Sequence, residues 1–159
     1  MKPKVQKIPL SASSALHKRL QAGDFLDCFA TTADISPRAA AAEIVEFPSW
    51  GKFLLHLRRI VTAPFELDQD GPEAADKLGP FPVESETESE IIAGFNDKHL
   101  DFRVSGISEN GMLSLATWVH LHNLDGRIYL AAIIPFHIMI ARNGVARAAK
   151  LQSRPTALT

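Results

Sequence analysis

The stretch Glu90 to Arg142, EIIAGFNDKHLDFRVSGISENGMLSLATWVHLHNLDGRIYLAAIIPFHIMIAR, decides the fold. Its first part reads as three strands, Glu90 to Phe95, Leu100 to Ser108 and the run after Met112, joined by short polar turns. Its last part is a long run almost free of charge. The clearest turn is Asn110-Gly111. An Asn-Gly pair between alternating segments favours a two-residue hairpin, because both central positions accept positive φ.

That turn sets a register. With Glu109 opposite Met112, Phe102 faces Val119, Val104 faces Thr117 and Leu100 faces Leu121, and Leu113 and Leu115 continue the same apolar surface. Successive side chains of a strand point to opposite sides. The other face therefore sets Arg103 opposite Trp118, Asp101 opposite His120 and His99 opposite His122.

The closing run reads as a helix from about Asp125-Gly126 to Gln152, capped by Asn123 or Asp125, with Arg142, Arg147 and Lys150 near its negative end. Apolar side chains surround its axis from Ile128 to Ile140, so it needs cover on more than one side. The sheet, the segment carrying Trp50, a second copy of the chain or a bound apolar ligand could each contribute, as could a membrane surface. The uncharged stretch Ile128 to Ala141 falls short of the roughly 20 residues that cross a bilayer, and Pro135 and His137 interrupt it. No membrane span is expected. Pro135 removes a helical hydrogen bond and is expected to kink the helix, opening a gap near Phe136 and His137.

Upstream, Ser14 to Leu20 reads as a helical turn, and Asp24 to Thr32 as a first strand with Phe25, Phe29 and Thr31 on one side. Ser36-Pro37 starts a helix running to about Glu46, the serine capping and the proline fitting the first turn. Trp50, Phe53, Leu54, Leu57, Ile60 and Val61 recur at helical spacing and predict a second helix ending near Pro64. Residues 66–82 read as an acidic surface loop and Phe81 to Glu86 as a further strand, giving four strands after the helix pair.

The chain has 159 residues, 46% of them hydrophobic, which supports one core. The organisation expected is an extension over 1–22, one domain over 23–152 and a tail over 153–159. A net charge of -1 leaves no cationic excess for a phosphate backbone, so no nucleic acid partner is expected. The single Cys28 cannot form an internal disulfide, and Met1 to Leu10 lacks the apolar segment of a secretory signal. A cytoplasmic location is the simplest reading.

On the polar face, His120 and His122 with His99 or Asp101 have the residue types of a metal site, but spacing alone does not specify one, and no metal is assigned. Asp101 beside His120 or His122 could instead act as an acid–base pair, though no nucleophile or phosphate-binding loop accompanies it. Arg103 over the Trp118 indole reads as a structural cation–π pair. A solvated sheet face explains all of these residues without chemistry. His137 is either a hydrogen-bonded core histidine or a ligand contact.

The order of elements resembles the helix-grip or START-like (SRPBCC) superfamily. More specifically, Gly79-Pro80-Phe81-Pro82-Val83, Ser85-Glu86-Thr87, His99-Leu100-Asp101-Phe102-Arg103, His122-Asn123 and Pro135-Phe136-His137 look like an uncharacterised bacterial family of unknown function. Relatives in that family occur fused behind nucleotide-binding domains. This sequence has no GxGxxG after an early strand, so no cofactor is carried over. The superfamily resemblance implies a hydrophobic ligand beneath the closing helix.

The fold expected is α+β: an antiparallel sheet gripping a long C-terminal helix, with two short helices after the first strand. The function expected is a binding module for a small, mainly apolar molecule. Trp50, Phe53, Phe102 and Phe136 would supply contact area, and Arg103, His122 or His137 would anchor a polar end. The alternatives are an enzyme using Asp101 with His120 or His122, and an interaction or homodimerisation domain.

Overall fold

The computed structural model describes residues 3–46, 63 and 73–152. Its strands are β1 (Gln6–Lys7), β2 (Phe25–Thr32), β3 (Lys77–Leu78), β4 (Phe81–Glu86), β5 (Glu90–Asn96), β6 (Leu100–Glu109) and β7 (Met112–Leu121). Helix α1 (Pro37–Val45) follows β2, and α2 (Leu124–Leu151) closes the chain. The expected second short helix, with Trp50 and Phe53, lies outside the described residues.

All seven strands form one antiparallel sheet in the order β1-β2-β7-β6-β5-β4-β3. The four strands expected after the helices become five, because Lys77–Leu78 pairs with the start of β4 inside the stretch read as loop. Two residues are too few to show alternation, so β1 and β3 leave no periodic trace.

The β6–β7 hairpin has the register that its turn implies: Glu109 opposes Met112, Phe102 opposes Val119 and Asp101 opposes His120. Asn110 and Gly111 both take positive φ, 53° and 73°. At the far end of β7, the Asn123 side-chain oxygen accepts from Gly126 N at 3.0 Å and caps α2. A Cβ on Gly126 would sit 2.4 Å from the His99 carbonyl oxygen, so the helix can begin this close to β6 only with glycine there.

Helices α1 and α2 cover one face of the sheet, here the inner face. The second half of α2 packs Ala141, Val145, Ala148 and Ala149 with Ile44 and Ala40 of α1 and with Phe29, Leu113 and Leu115 of the sheet. Small residues bring the two helices close, with Gly144 set against Ile44. Arg147 reinforces the contact by donating to the Glu43 and Ile44 carbonyls. The first half of α2 stands further from the sheet, touching it through Tyr129, Leu130 and Ile133.

Leu124, Ile128 and Met139 on α2 are exposed, although the apolar circumference of this helix implied cover on more than one side. By length and composition alone α2 is long and apolar enough to cross a membrane. It is also the core helix of this sheet, with Ala141, Val145 and Ala148 at most 3% exposed. It runs as one helix through Pro135.

The N-terminal segment covers the opposite, outer face. Leu16 lies in a cluster with Cys28, Ile92, Ala116 and Trp118, and Ile8, Leu10 and Leu20 pack around it. The Glu90 carboxylate fastens this segment by accepting from the Ser14 hydroxyl at 2.6 Å, the Ala15 amide at 2.9 Å and the Ser105 hydroxyl at 2.6 Å. A carboxylate this buried is tolerable because its lone pairs are taken up by donors.

Candidate functional site

Where the first half of α2 stands off, a cavity of about 200 Å³ opens between helix and sheet. Phe25, Leu100, Phe102, Val104, Thr117 and Val119 form its floor, and Tyr129, Leu130, Ile133, Phe136 and Ile140 form its roof. A second cavity of about 130 Å³ adjoins it toward α1 and shares Phe81, Val104, Thr117, His137 and Ile140 with it. Phe102 is a fixed wall: Phe81 and Phe95 meet its ring edge-on at 5.4 and 4.7 Å between centroids.

Among the described lining residues His137, Thr117 and Tyr129 carry polar atoms. His137, on the α2 side that faces the sheet, places Nε2 2.9 Å from Oδ2 and 3.2 Å from Oδ1 of Asp27 on β2. The Asp27 side chain is 2% exposed and that of His137 23%. Phe25 meets the imidazole edge-on at 6.0 Å. With Nε2 donating to the carboxylate, the ring is oriented, and its Nδ1 has no hydrogen-bond partner among the described residues.

Beside this pair, Thr117 is the direct β7 neighbour of Asp27. Its hydroxyl is buried, lines both cavities and lacks a hydrogen-bond partner among the described residues. A buried hydroxyl left unpaired is costly, and this one belongs to a residue in the wall of both cavities.

The other expected site residues lie elsewhere. Phe102, Phe136 and His137 meet at the cavity, whereas Arg103, His120 and Asp101 belong to the outer face and the sheet lies between them and it. His122 lies beyond the end of β7, its Nδ1 3.2 Å from the Lys98 carbonyl oxygen. Trp50 and Phe53 are outside the described residues.

On the outer face the pairings differ from those expected. His120 Nδ1 lies 2.6 Å from Asp24, not on its cross-strand neighbour Asp101, and Asp24 also accepts from the Trp118 indole at 2.8 Å. Burial works to raise the Asp24 pKa, but hydrogen bonds from His120, Trp118 and the Gln21 amide outweigh it and hold the group below the usual range. His122 Nε2 approaches Asp101 Oδ1 to 3.0 Å, an ion-pair distance without hydrogen-bond alignment. That carboxylate, helped by the Lys98 carbonyl and opposed by burial, raises the His122 pKa.

The expected Arg103–Trp118 stack is replaced. Arg19 lies over the indole at 5.8 Å, and Arg103 turns to Glu84, Asn96 and the Phe102 carbonyl. Arg19 comes from the N-terminal segment, which cross-strand reasoning could not place. Among the described residues no group of three or more His, Cys, Asp or Glu side chains is arranged to hold a metal ion.

Asp27 and Thr117 were missed, yet both carried a signal. The first strand sets Phe25, Phe29 and Thr31 on one side, and alternation puts Asp27 on that same side. Thr117 was set opposite Val104 on the apolar face. A buried aspartate on a mainly apolar face is the more telling of the two, since such residues are rarely buried unless paired.

Residues 19–144 match the family described as "Protein of unknown function (DUF2867)". The chain belongs to that family. No curated protein and no solved structure matches this DUF2867 chain. The match covers α1, the sheet from β2 onward and α2 as far as Gly144, and so includes Asp27, Thr117 and His137.

Proposed function

We propose that the protein binds a small, mainly apolar molecule between α2 and the sheet, with one polar end at His137 and Thr117. The observation that carries this reading is the cavity of about 200 Å³, whose described lining is apolar apart from those two side chains and Tyr129. Ligand sites commonly have this make-up, an apolar wall with a few placed polar groups. An imidazole held by a buried carboxylate is stiff enough to fix a ligand's orientation. The helix-grip, START-like kinship suggested by the order of elements, and a bacterial setting, agree with the same reading.

The test is ligand-dependent stabilisation of the full chain, together with native mass spectrometry of freshly purified protein. Ethylbenzene, small enough for the main cavity, is expected to raise the melting temperature of the wild type. It should leave Ile133→Trp, which fills the cavity from the helix side, unmoved. Equal stabilisation of both proteins would refute the reading.

A second reading is favoured by the Asp27–His137 geometry. An imidazole oriented through one nitrogen, with the other facing a cavity, has the arrangement of a general acid–base group. On this reading a bound substrate would exchange a proton with His137 Nδ1, and His137→Gln would abolish turnover while leaving ligand binding within about threefold.

A further inference from the structure

We infer that this cavity selects a ligand whose polar end is uncharged, a hydroxyl or a carbonyl, and rejects the carboxylate or ammonium of an otherwise identical molecule. The inference rests on the binding reading above and narrows it to a ligand class.

The argument is one of charge balance. Apart from Tyr129, His137 is the only ionisable side chain among the described residues lining the cavity, and it already faces the Asp27 carboxylate behind it at 2.9 Å. No lysine or arginine is among the described residues lining either cavity. Among the described residues a carboxylate entering here would find no cation that is not already paired with Asp27. It would be buried uncompensated beside an existing carboxylate, which is the costliest arrangement open to a charged group. An ammonium would find the Asp27 carboxylate buried, at 2% exposure, and already engaged by His137.

A hydroxyl or carbonyl meets no such penalty. The Thr117 hydroxyl is buried, without a partner among the described residues, and able both to donate and to accept. His137 Nδ1 offers a second polar atom nearby. Size also follows: an apolar cavity of about 150 Å³ takes benzene, so a cavity of about 200 Å³ suits roughly eight heavy atoms. The adjoining cavity extends this to roughly a dozen.

The experiment titrates the full chain, by calorimetry at about pH 8, with 1-octanol, octanoate, octylammonium and ethylbenzene. The expected result is that 1-octanol binds about a hundredfold tighter than octanoate and octylammonium. Thr117→Val should weaken 1-octanol about tenfold and leave ethylbenzene unchanged, and Thr117→Ser, which keeps the hydroxyl, should retain the preference for the alcohol. Octanoate or octylammonium binding as tightly as 1-octanol would overturn the inference while leaving an apolar binding site in place. So would 1-octanol binding that ignores Thr117→Val. Failure of all four probes to bind would overturn the binding reading itself, and this inference with it.

Discussion

Asp27 and His137 show how one buried charge can dictate the behaviour of its neighbours. The carboxylate is almost sealed from water, and His137 meets it from across the helix–sheet gap. His137→Ala should therefore cost about 2 to 4 kcal/mol in urea denaturation, because it strands a buried charge. His122→Ala, at a half-exposed ion pair, should cost no more than about 1 kcal/mol. Thr117→Val should leave the free protein as stable or stabilise it by about 1 kcal/mol, since it removes an unpaired buried hydroxyl.

The titrations of His122 and Asp24 act in opposite directions. The His122 pKa is raised on folding, so its contribution is complete below the unfolded value of about 6.5 and fades as pH rises through the folded value. The Asp24 pKa is depressed, so its contribution is complete above the unfolded value of about 3.9 and is lost as pH falls through the folded one. Stability measured against pH should decline above about 6.5, and His122→Asn should remove part of that decline. An identical profile in the variant would reject the assignment.

At the scale of elements, the long regular pieces were legible and the short ones were not. Alternation in β6 and β7, with the Asn110-Gly111 turn between them, determines register because a slip by one residue would turn Phe102 and Val119 to the outer face. Ser36-Pro37 and Asn123 mark helix starts through their own side-chain chemistry. By contrast β1 and β3 are held by their partners rather than by pattern, and Arg19 reaches Trp118 only because the N-terminal segment folds back. Pairings such as Asp24 with His120 depend on that tertiary return, which a local reading of neighbouring strands cannot supply.

The helix start offers an element-scale test. In an exposed helix, Gly→Ala usually stabilises by about 1 kcal/mol. At Gly126 the new methyl would collide with the His99 carbonyl oxygen, so Gly126→Ala should instead destabilise by about 2 kcal/mol. A gain in stability would show that α2 does not approach β6 so closely.

At the scale of the whole molecule, the sheet has two differently used faces. The outer face is closed by the N-terminal segment, with Leu16 fully buried and Glu90 satisfied by Ser14, Ala15 and Ser105. Burial there also raises the Cys28 thiol to about 11. Cys28 should accordingly resist thiol reagents in the native protein. Deleting the first twenty residues should expose it, raise dye binding to apolar surface and cost at least about 3 kcal/mol. The inner face is filled where the second half of α2 packs with Ile44, Ala40, Phe29, Leu113 and Leu115. Nearer the start of α2, Phe102, Val119, Ile133 and Phe136 line a cavity.

That space is the centre of the account, and a crystal structure of the full chain grown with 1-octanol tests it most directly. The account predicts electron density for the alcohol between α2 and the sheet, its hydroxyl beside Thr117 and His137. Side chains of the protein filling that space, or the alcohol bound only elsewhere, would contradict it.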